Sequence, residues 1–397
     1  EVDPAAHTCA AGFFVKTGAR DEATPLMGVS HFLEHMMFKG THDITAEELN
    51  RAYDEIGARN NAYTSNEMTC FYAQVLPEHM PRAMDLLGRM MRPALRQADF
   101  DTEKGVILEE IAMYKDKPFW VLYEQAIEKH YGTHPMSHRV LGTDETIKAL
   151  TRDQMQGYFD ARYSADNTVV SLAGKIDFDA CVAQIQSLCG SWARTGAVRD
   201  PRGPGTVGGR FELKDPKVNR GYYIAISRGP SGQDERRYAA SLLAQVLGAS
   251  DNSRLHWALI ESGIAEEAMA AYDPHDGVGE YYLYAAADPE RLGEVEDEIN
   301  KQVAGLVSSI TDDDLERLRN RIATAATLGA ERPGDRMQRL GRVWMLLGQY
   351  SSLDEELAKI NAVTRKDLIE VARDFPITPL TVGRMVPAGE AAAQPTG

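Results

Sequence analysis

Apolar and polar positions in this chain follow two alternating periods. Residues 9–17 form an apolar run closed by the turn Gly18-Ala19-Arg20-Asp21-Glu22, which predicts a strand. Ser30 stands where an N-cap opens a helix across His31, and Lys39-Gly40 supplies a glycine stop. Thr45-x-x-Glu48 is a capping box for a second helix through Ile56, halted at Gly57. Residues 61–76 space Tyr63, Thr69, Phe71, Tyr72 and Val75 as one or two strands do. Helices are predicted over 78–91 and 98–115 before Pro118 breaks the pattern, and a buried strand over 167–173. Residues 194–209, rich in Gly, Pro and Arg, read as a linker.

Beyond that linker the pattern recurs. Gly12-Phe13-Phe14-Val15 followed by Arg20-Asp21-Glu22 is similar to Gly221-Tyr222-Tyr223-Ile224 followed by Gln233-Asp234-Glu235. Thr168-Val169-Val170-Ser171 is likewise similar to Leu380-Thr381-Val382-Gly383. The recurrence predicts a duplicated α+β unit, with a first domain over 1–195, a linker over 196–209, a second domain over 210–387 and a flexible tail over 388–397. A length of 397 residues agrees with two domains.

Composition adds limits. With 43% hydrophobic and 26% charged residues the chain reads as a soluble globular protein, and no apolar run is long enough to span a membrane. A net charge of -16 argues against nucleic acid as a partner and is compatible with cationic peptides. Cys9, Cys70, Cys181 and Cys189 make neither a disulfide framework nor a C-x-x-C site, so all four are expected to be reduced packing residues. The start at Glu1, without Met or a signal-like segment, reads as trimmed. The cytoplasm is the first expectation for location, with periplasm or mitochondrial matrix as alternatives.

The chemistry concentrates in His31-Phe32-Leu33-Glu34-His35. On a helix, His31 and His35 project from one face a turn apart, as two corners of a tetrahedral zinc site, and Glu34 lies close enough to act on a water there. H-x-x-E-H is the inverted form of the zinc-protease helix. A catalytic site needs a third protein ligand and one open position. Residues 103–111 offer it, because Glu103, Ile107, Glu110 and Tyr114 form one helical stripe while Glu109 points about 100° away. One carboxylate of the stripe can ligate while the other orients a ligand. Matching Gly40 to Gly248 places Ala239, Leu242 and Leu243 where the second copy would carry His31, Glu34 and His35, so any chemistry belongs to the first half.

With these residues the sequence resembles the pitrilysin (M16) family of zinc endopeptidases, and looks closest to its mitochondrial-processing-peptidase-like branch. Glu110 falls 75 positions after His35 in the Val106-Ile107-Leu108-Glu109-Glu110-Ile111 context that the branch uses. The similarity extends to Gly18-x-Arg20-Asp21-Glu22, Phe38-Lys39-Gly40-Thr41, the run from Gly57 to Thr64, Leu141-Gly142-Thr143, and Arg336-Met337-x-Arg339-Leu340-Gly341-Arg342. The resemblance implies one Zn²⁺ per chain held by His31, His35 and Glu110, with Glu34 as general base and Glu103 as a supporting carboxylate. It implies two homologous α/β-sandwich domains and a chamber built from four such domains, hence a homodimer or a heterodimer with a related subunit. It also implies that an extended peptide pairs with the strand at Asn61, Ala62 and Tyr63, where Asn61 contacts substrate backbone. Family members often carry a substrate-holding Arg and Tyr seven residues apart in the noncatalytic half; Leu259 and Glu266 stand there instead. Elsewhere, His130, His134 and His138 are spaced by four, but Gly132 and Pro135 preclude a regular helix and a metal face.

Overall fold

The computed structural model describes residues 1–200 and 206–388. Among them β1 (Cys9–Val15), β2 (Arg59–Thr64), β3 (Thr69–Val75) and β4 (Thr168–Gly174) form an antiparallel sheet in the order β2-β3-β1-β4. A second sheet contains β5 (Gly209–Asp215), β6 (Gly221–Arg228), β7 (Glu267–Pro274), β8 (Gly279–Ala287) and β9 (Thr381–Pro387). Its order is β5-β9-β6-β8-β7, and only β5 and β9 run parallel. The helices of the first half are α1 (Val29–Met37), α2 (Ala46–Glu55), α3 (Met80–Met90), α4 (Gln97–Lys115), α5 (Pro118–Tyr131), α6 (Asp144–Ala149), α7 (Arg152–Arg162) and α8 (Phe178–Cys189). Those of the second half are α9 (Arg237–Gly248), α10 (Leu292–Ser309), α11 (Asp312–Ala330), α12 (Pro333–Leu347), α13 (Leu353–Ala362) and α14 (Arg365–Asp374). The fold is α+β with two related sheet-and-helix units, as the recurrence predicts. No helix among the described residues is long and apolar enough to cross a membrane.

The units do not follow the expected division at 196–209. One is built from residues 1–112, 138–200 and 324–353, the other from 113–137, 206–323 and 354–388. Of the expected linker and tail, 201–205 and 389–397 lie outside the described residues. The exchange of segments has a physical cause. β1 is buried along its whole length, with Phe13 and Val15 in one core and Ala10 and Phe14 in another. A strand apolar on both faces needs a layer on each side. The second layer of the first sheet is α12, which puts Met337 and Met345 against Phe14. Gly341 makes this approach possible, since a Cβ there would lie 2.3 Å from the Phe14 ring. In the other unit Tyr223 and Ala225 of β6 face one core, while Ile224 and Ile226 meet Leu122, Ala126 and Tyr131 of α5. Each sheet is thus closed by a helix from the opposite half of the sequence.

The late Arg336–Arg342 motif acquires its meaning here. Arg336 pairs with Asp3 at 3.0 Å, the Met337 carbonyl accepts from Ser171 Oγ at 2.9 Å, and Arg342 Nε donates to the Tyr63 hydroxyl at 3.2 Å. Pro118, read as a breaker, is instead the first residue of α5, where a missing N–H costs nothing. The strand signal over 61–76 resolves into the hairpin β2–β3.

Candidate metal centre

Helix α1 carries the H-x-x-E-H residues, and its start differs from expectation. Gly28, not Ser30, is the N-cap, with φ of +94°. That left-handed backbone suits glycine, and a Cβ there would sit 2.7 Å from the Leu141 carbonyl oxygen. The capping acceptor comes from six and eight residues upstream: the Glu22 carboxylate accepts from the backbone N–H of Gly28 and of Ser30, each at 2.7 Å. Burial pushes the Glu22 carboxyl up to about 8, against the pull of those two hydrogen bonds. Gly28→Ala is expected to cost at least about 1–2 kcal/mol of stability through strain alone, read as a lowered denaturant midpoint; an unchanged midpoint would show the turn to be tolerant. The helix ends at Met37, and Gly40, also left-handed at φ of +87°, follows the stop rather than making it.

Phe32 of α1 stacks on Phe100 of α4 with centroids 4.7 Å apart and planes 15° from parallel. Both rings are fully buried, which fixes the two helices against each other. The predicted stripe of α4 then faces α1. His31 Nε2 and His35 Nε2 lie 3.7 and 3.6 Å from Glu110 Oε2. Those separations are too long for hydrogen bonds. They are close to the edge of a tetrahedron with bonds of about 2.0–2.2 Å, the lengths zinc takes with imidazole and carboxylate. The three donor atoms all lie within 4.8 Å of one another. The donor set, two imidazoles and one carboxylate, is that of a catalytic zinc with one position left open.

Glu103 does not reach this centre. Its Oε1 accepts from His35 Nδ1 at 2.8 Å, and its Oε2 takes Lys39 Nζ at 2.5 Å. The carboxylate therefore holds the proton of His35 on Nδ1 and leaves Nε2 free to ligate. Burial opposes ionisation of Glu103, but the hydrogen bonds from His35 and Lys39 carry its pKa below the usual value. Burial alone would lower His35; the hydrogen bond and charge of Glu103, with Glu110 and Glu34, raise it. His31 is different: burial takes it down to about 3, and its Nδ1 has no partner among the described residues. These contacts suit Glu103 to positioning His35 rather than to ligating. Glu103→Gln is expected to weaken metal binding about 10–100-fold, measured by competition with a chelator while circular dichroism stays unchanged. Equal affinity would remove that role.

Glu34 is 9% exposed, and Thr64 Oγ1 donates to its Oε2 at 2.5 Å. Burial raises its pKa, while the Thr64 bond and the nearby His35 oppose the rise. Thr64 ends β2, an edge strand with its outer side open in the sheet order. The register pairs Asn61 with Tyr72 and Tyr63 with Cys70, and the Ser65 N–H bonds the Met68 carbonyl. By antiparallel alternation the backbone of Asn60, Ala62 and Thr64 then points to the free edge. The Asn61 side-chain oxygen accepts from the Ala62 N–H at 2.9 Å, and the Tyr63 hydroxyl donates to Gln338 at 2.9 Å. Of Asn61, Ala62 and Tyr63, only Ala62 turns its backbone to the open edge, with its N–H held by the Asn61 side chain, while Asn61 and Tyr63 pair with β3 and the Tyr63 side chain is engaged with α12.

On α9, Ala239, Leu242 and Leu243 are buried apolar residues. Leu259 is 0% exposed, and Glu266 pairs with Arg220 at 2.6 Å, so neither position offers a free donor. His130, His134 and His138 diverge, bonding Thr381, the Met136 N–H and the Ala19 carbonyl. Sequence reasoning missed the roles of Glu22, Lys39 and Thr64. All three had a signal only as members of motifs quoted for their resemblance.

Two imidazoles and a carboxylate around one point, with a second carboxylate between that point and an open strand edge, define a centre of the metallohydrolase type. The comparisons with known proteins agree. The model described as Insulinase (Peptidase family M16) matches residues 1–144, and that described as Peptidase M16 inactive domain matches 149–322. An uncharacterized zinc protease of Streptomyces coelicolor is 32% identical over 390 residues, covering 94% of this chain and 84% of that protein. The zinc protease YmxG of Bacillus subtilis is 30% identical over 392 residues, covering 98% and 95%. A protease from Helicobacter pylori shares the fold with a TM-score of 0.90 at 18% identity, covering 96% and 94%. The chain belongs to the M16 peptidase family.

Proposed function

We propose that the protein is a zinc-dependent endopeptidase that cleaves unfolded peptides or presequences, with one zinc per chain. The observation that carries the reading is the convergence of His31, His35 and Glu110 beside Glu34, itself bonded to the last residue of an open strand edge. Zinc in such a site supplies Lewis-acid polarisation and a nucleophilic water near neutral pH. The edge of β2 pairs with the substrate backbone, which selects extended segments over folded ones. Glu34, oriented by Thr64, takes a proton from the attacking water and returns one to the leaving amine. Zinc-loaded protein should cut flexible peptides, stop on chelation and recover on zinc addition. Intact peptides with stoichiometric zinc present would remove the reading for the chain alone.

One observation favours a second form of this reading. With Leu259 buried and Glu266 ion-paired, a substrate-holding Arg/Tyr pair has no counterpart at those positions. A partner subunit then supplies it, and the chain works as half of a heterodimer; a homodimer is the alternative. Native mass measured together with peptidase activity of the chain alone separates the two. A noncatalytic assembly subunit is disfavoured by the complete ligand set, and zinc stoichiometry tests it.

A further inference from the structure

We propose that the groove at the Arg59 end of β2 is a substrate subsite that selects acidic side chains, three to five residues from the cleaved bond. The inference rests on the peptidase reading and on β2 as the pairing edge. Within the strand, Arg59, Asn61 and Tyr63 share one face, opposite the face on which Thr64 reaches Glu34. Tyr63 is covered on that face by Gln338 and Arg342 of α12. Toward the start of α12 the cover ends, leaving a groove of about 690 Å³ lined by Arg59, Asn61, Tyr72, Gln74, Arg332 and Asp335 among others.

The charges in the groove are uneven. Arg332 and Asp335 face each other at 4.0 Å and offset one another. Arg59 is exposed, and its guanidinium makes no hydrogen bond or ion pair among the described residues. The net charge of -16 leads one to expect basic peptides, yet this subsite presents an unneutralised guanidinium. In an added strand, residues opposite Asn61 and Arg59 project to their face. They lie three and five positions from the residue opposite Thr64, or about 10 and 17 Å at about 3.4 Å per residue. An Asp or Glu there meets a fork of donors suited to carboxylate. Elsewhere along the peptide the overall field favours Lys. The signature is therefore positional: acid preferred at one or two alternate positions, disfavoured at the others.

The test is a set of twelve-residue labelled peptides with one position scanned through Asp, Ala and Lys. Binding to zinc-loaded Glu34→Gln protein is measured by anisotropy, and cleavage by the unmodified chain is measured in parallel. Asp should exceed Lys about three- to tenfold at the groove positions, mainly in affinity and KM. Arg59→Glu should reverse that order, and Lys366→Glu, the same charge change on α14, should not. A flat scan, or an Asp preference that survives Arg59→Glu, overturns the subsite and leaves the peptidase reading standing. Peptides neither bound by Glu34→Gln nor cut by the unmodified chain overturn both.

Discussion

Glu34→Gln is expected to keep the metal and lose cleavage, with kcat lowered about 10²–10⁴-fold. The amide has nearly the volume of the carboxylate, and its oxygen can still accept the Thr64 hydroxyl that meets Glu34 at 2.5 Å. It cannot take a proton from water at neutral pH. Because the donor atoms belong to His31, His35 and Glu110, zinc content should stay stoichiometric and the melting temperature should not fall. Substrate contacts through the β2 edge are untouched, so KM should hold while kcat drops, the pattern of a lost transition-state interaction. Peptide cleavage at the unmodified rate would show that another group moves the proton and that Glu34 is there for packing. Loss of zinc together with activity would assign it to the ligand set instead.

What the sequence could disclose follows from how locally each feature is determined. His31 and His35 were legible because a helix fixes residues four apart on one face whatever surrounds it. The same logic found the Glu103–Glu110 stripe, and spacing alone left open which carboxylate ligates. The structure separates them: Glu110 faces both imidazoles, and Glu103 spends its oxygens on His35 Nδ1 and Lys39. Cap chemistry misled at Ser30, because the acceptor for the start of α1 is a side chain on a preceding turn, and no local rule points from Glu22 to Gly28. The division into units failed for a related reason. The apolar run of β1 shows that both faces need cover, but it does not say that α12, more than 300 residues later, supplies one of them. The contact of Thr64 with Glu34 and the isolation of Arg59 are likewise tertiary facts. An Arg before a run of polar strand residues reads as a solvated position until the groove around it is seen.

Glu110→Ala should separate the metal from the fold. Its side chain lies on the accessible flank of α4, half-way between core and solvent, so truncation leaves no core cavity and the zinc-free protein should melt near the unmodified one. What disappears is one of three converging donors. A loss of at least about 100-fold in zinc affinity is expected, beyond the 10–100-fold typical for an outer carboxylate such as Glu103. Metal binding to the folded state alone stabilises it by about 2.7 kcal/mol when free zinc is 100 times Kd. Unmodified protein should therefore gain melting temperature on zinc addition, Glu34→Gln should gain equally, and Glu110→Ala should gain nothing at the same zinc concentration. Glu109→Ala is the matched control: it sits next in sequence but is exposed and turned about 100° away on the helix. If Glu110→Ala kept both the thermal gain and stoichiometric zinc while Glu109→Ala lost them, the register of α4 against α1 would be wrong by one residue, and with it the ligand set. Because the readout is stability, the outcome does not depend on whether the chain cleaves alone or beside a partner.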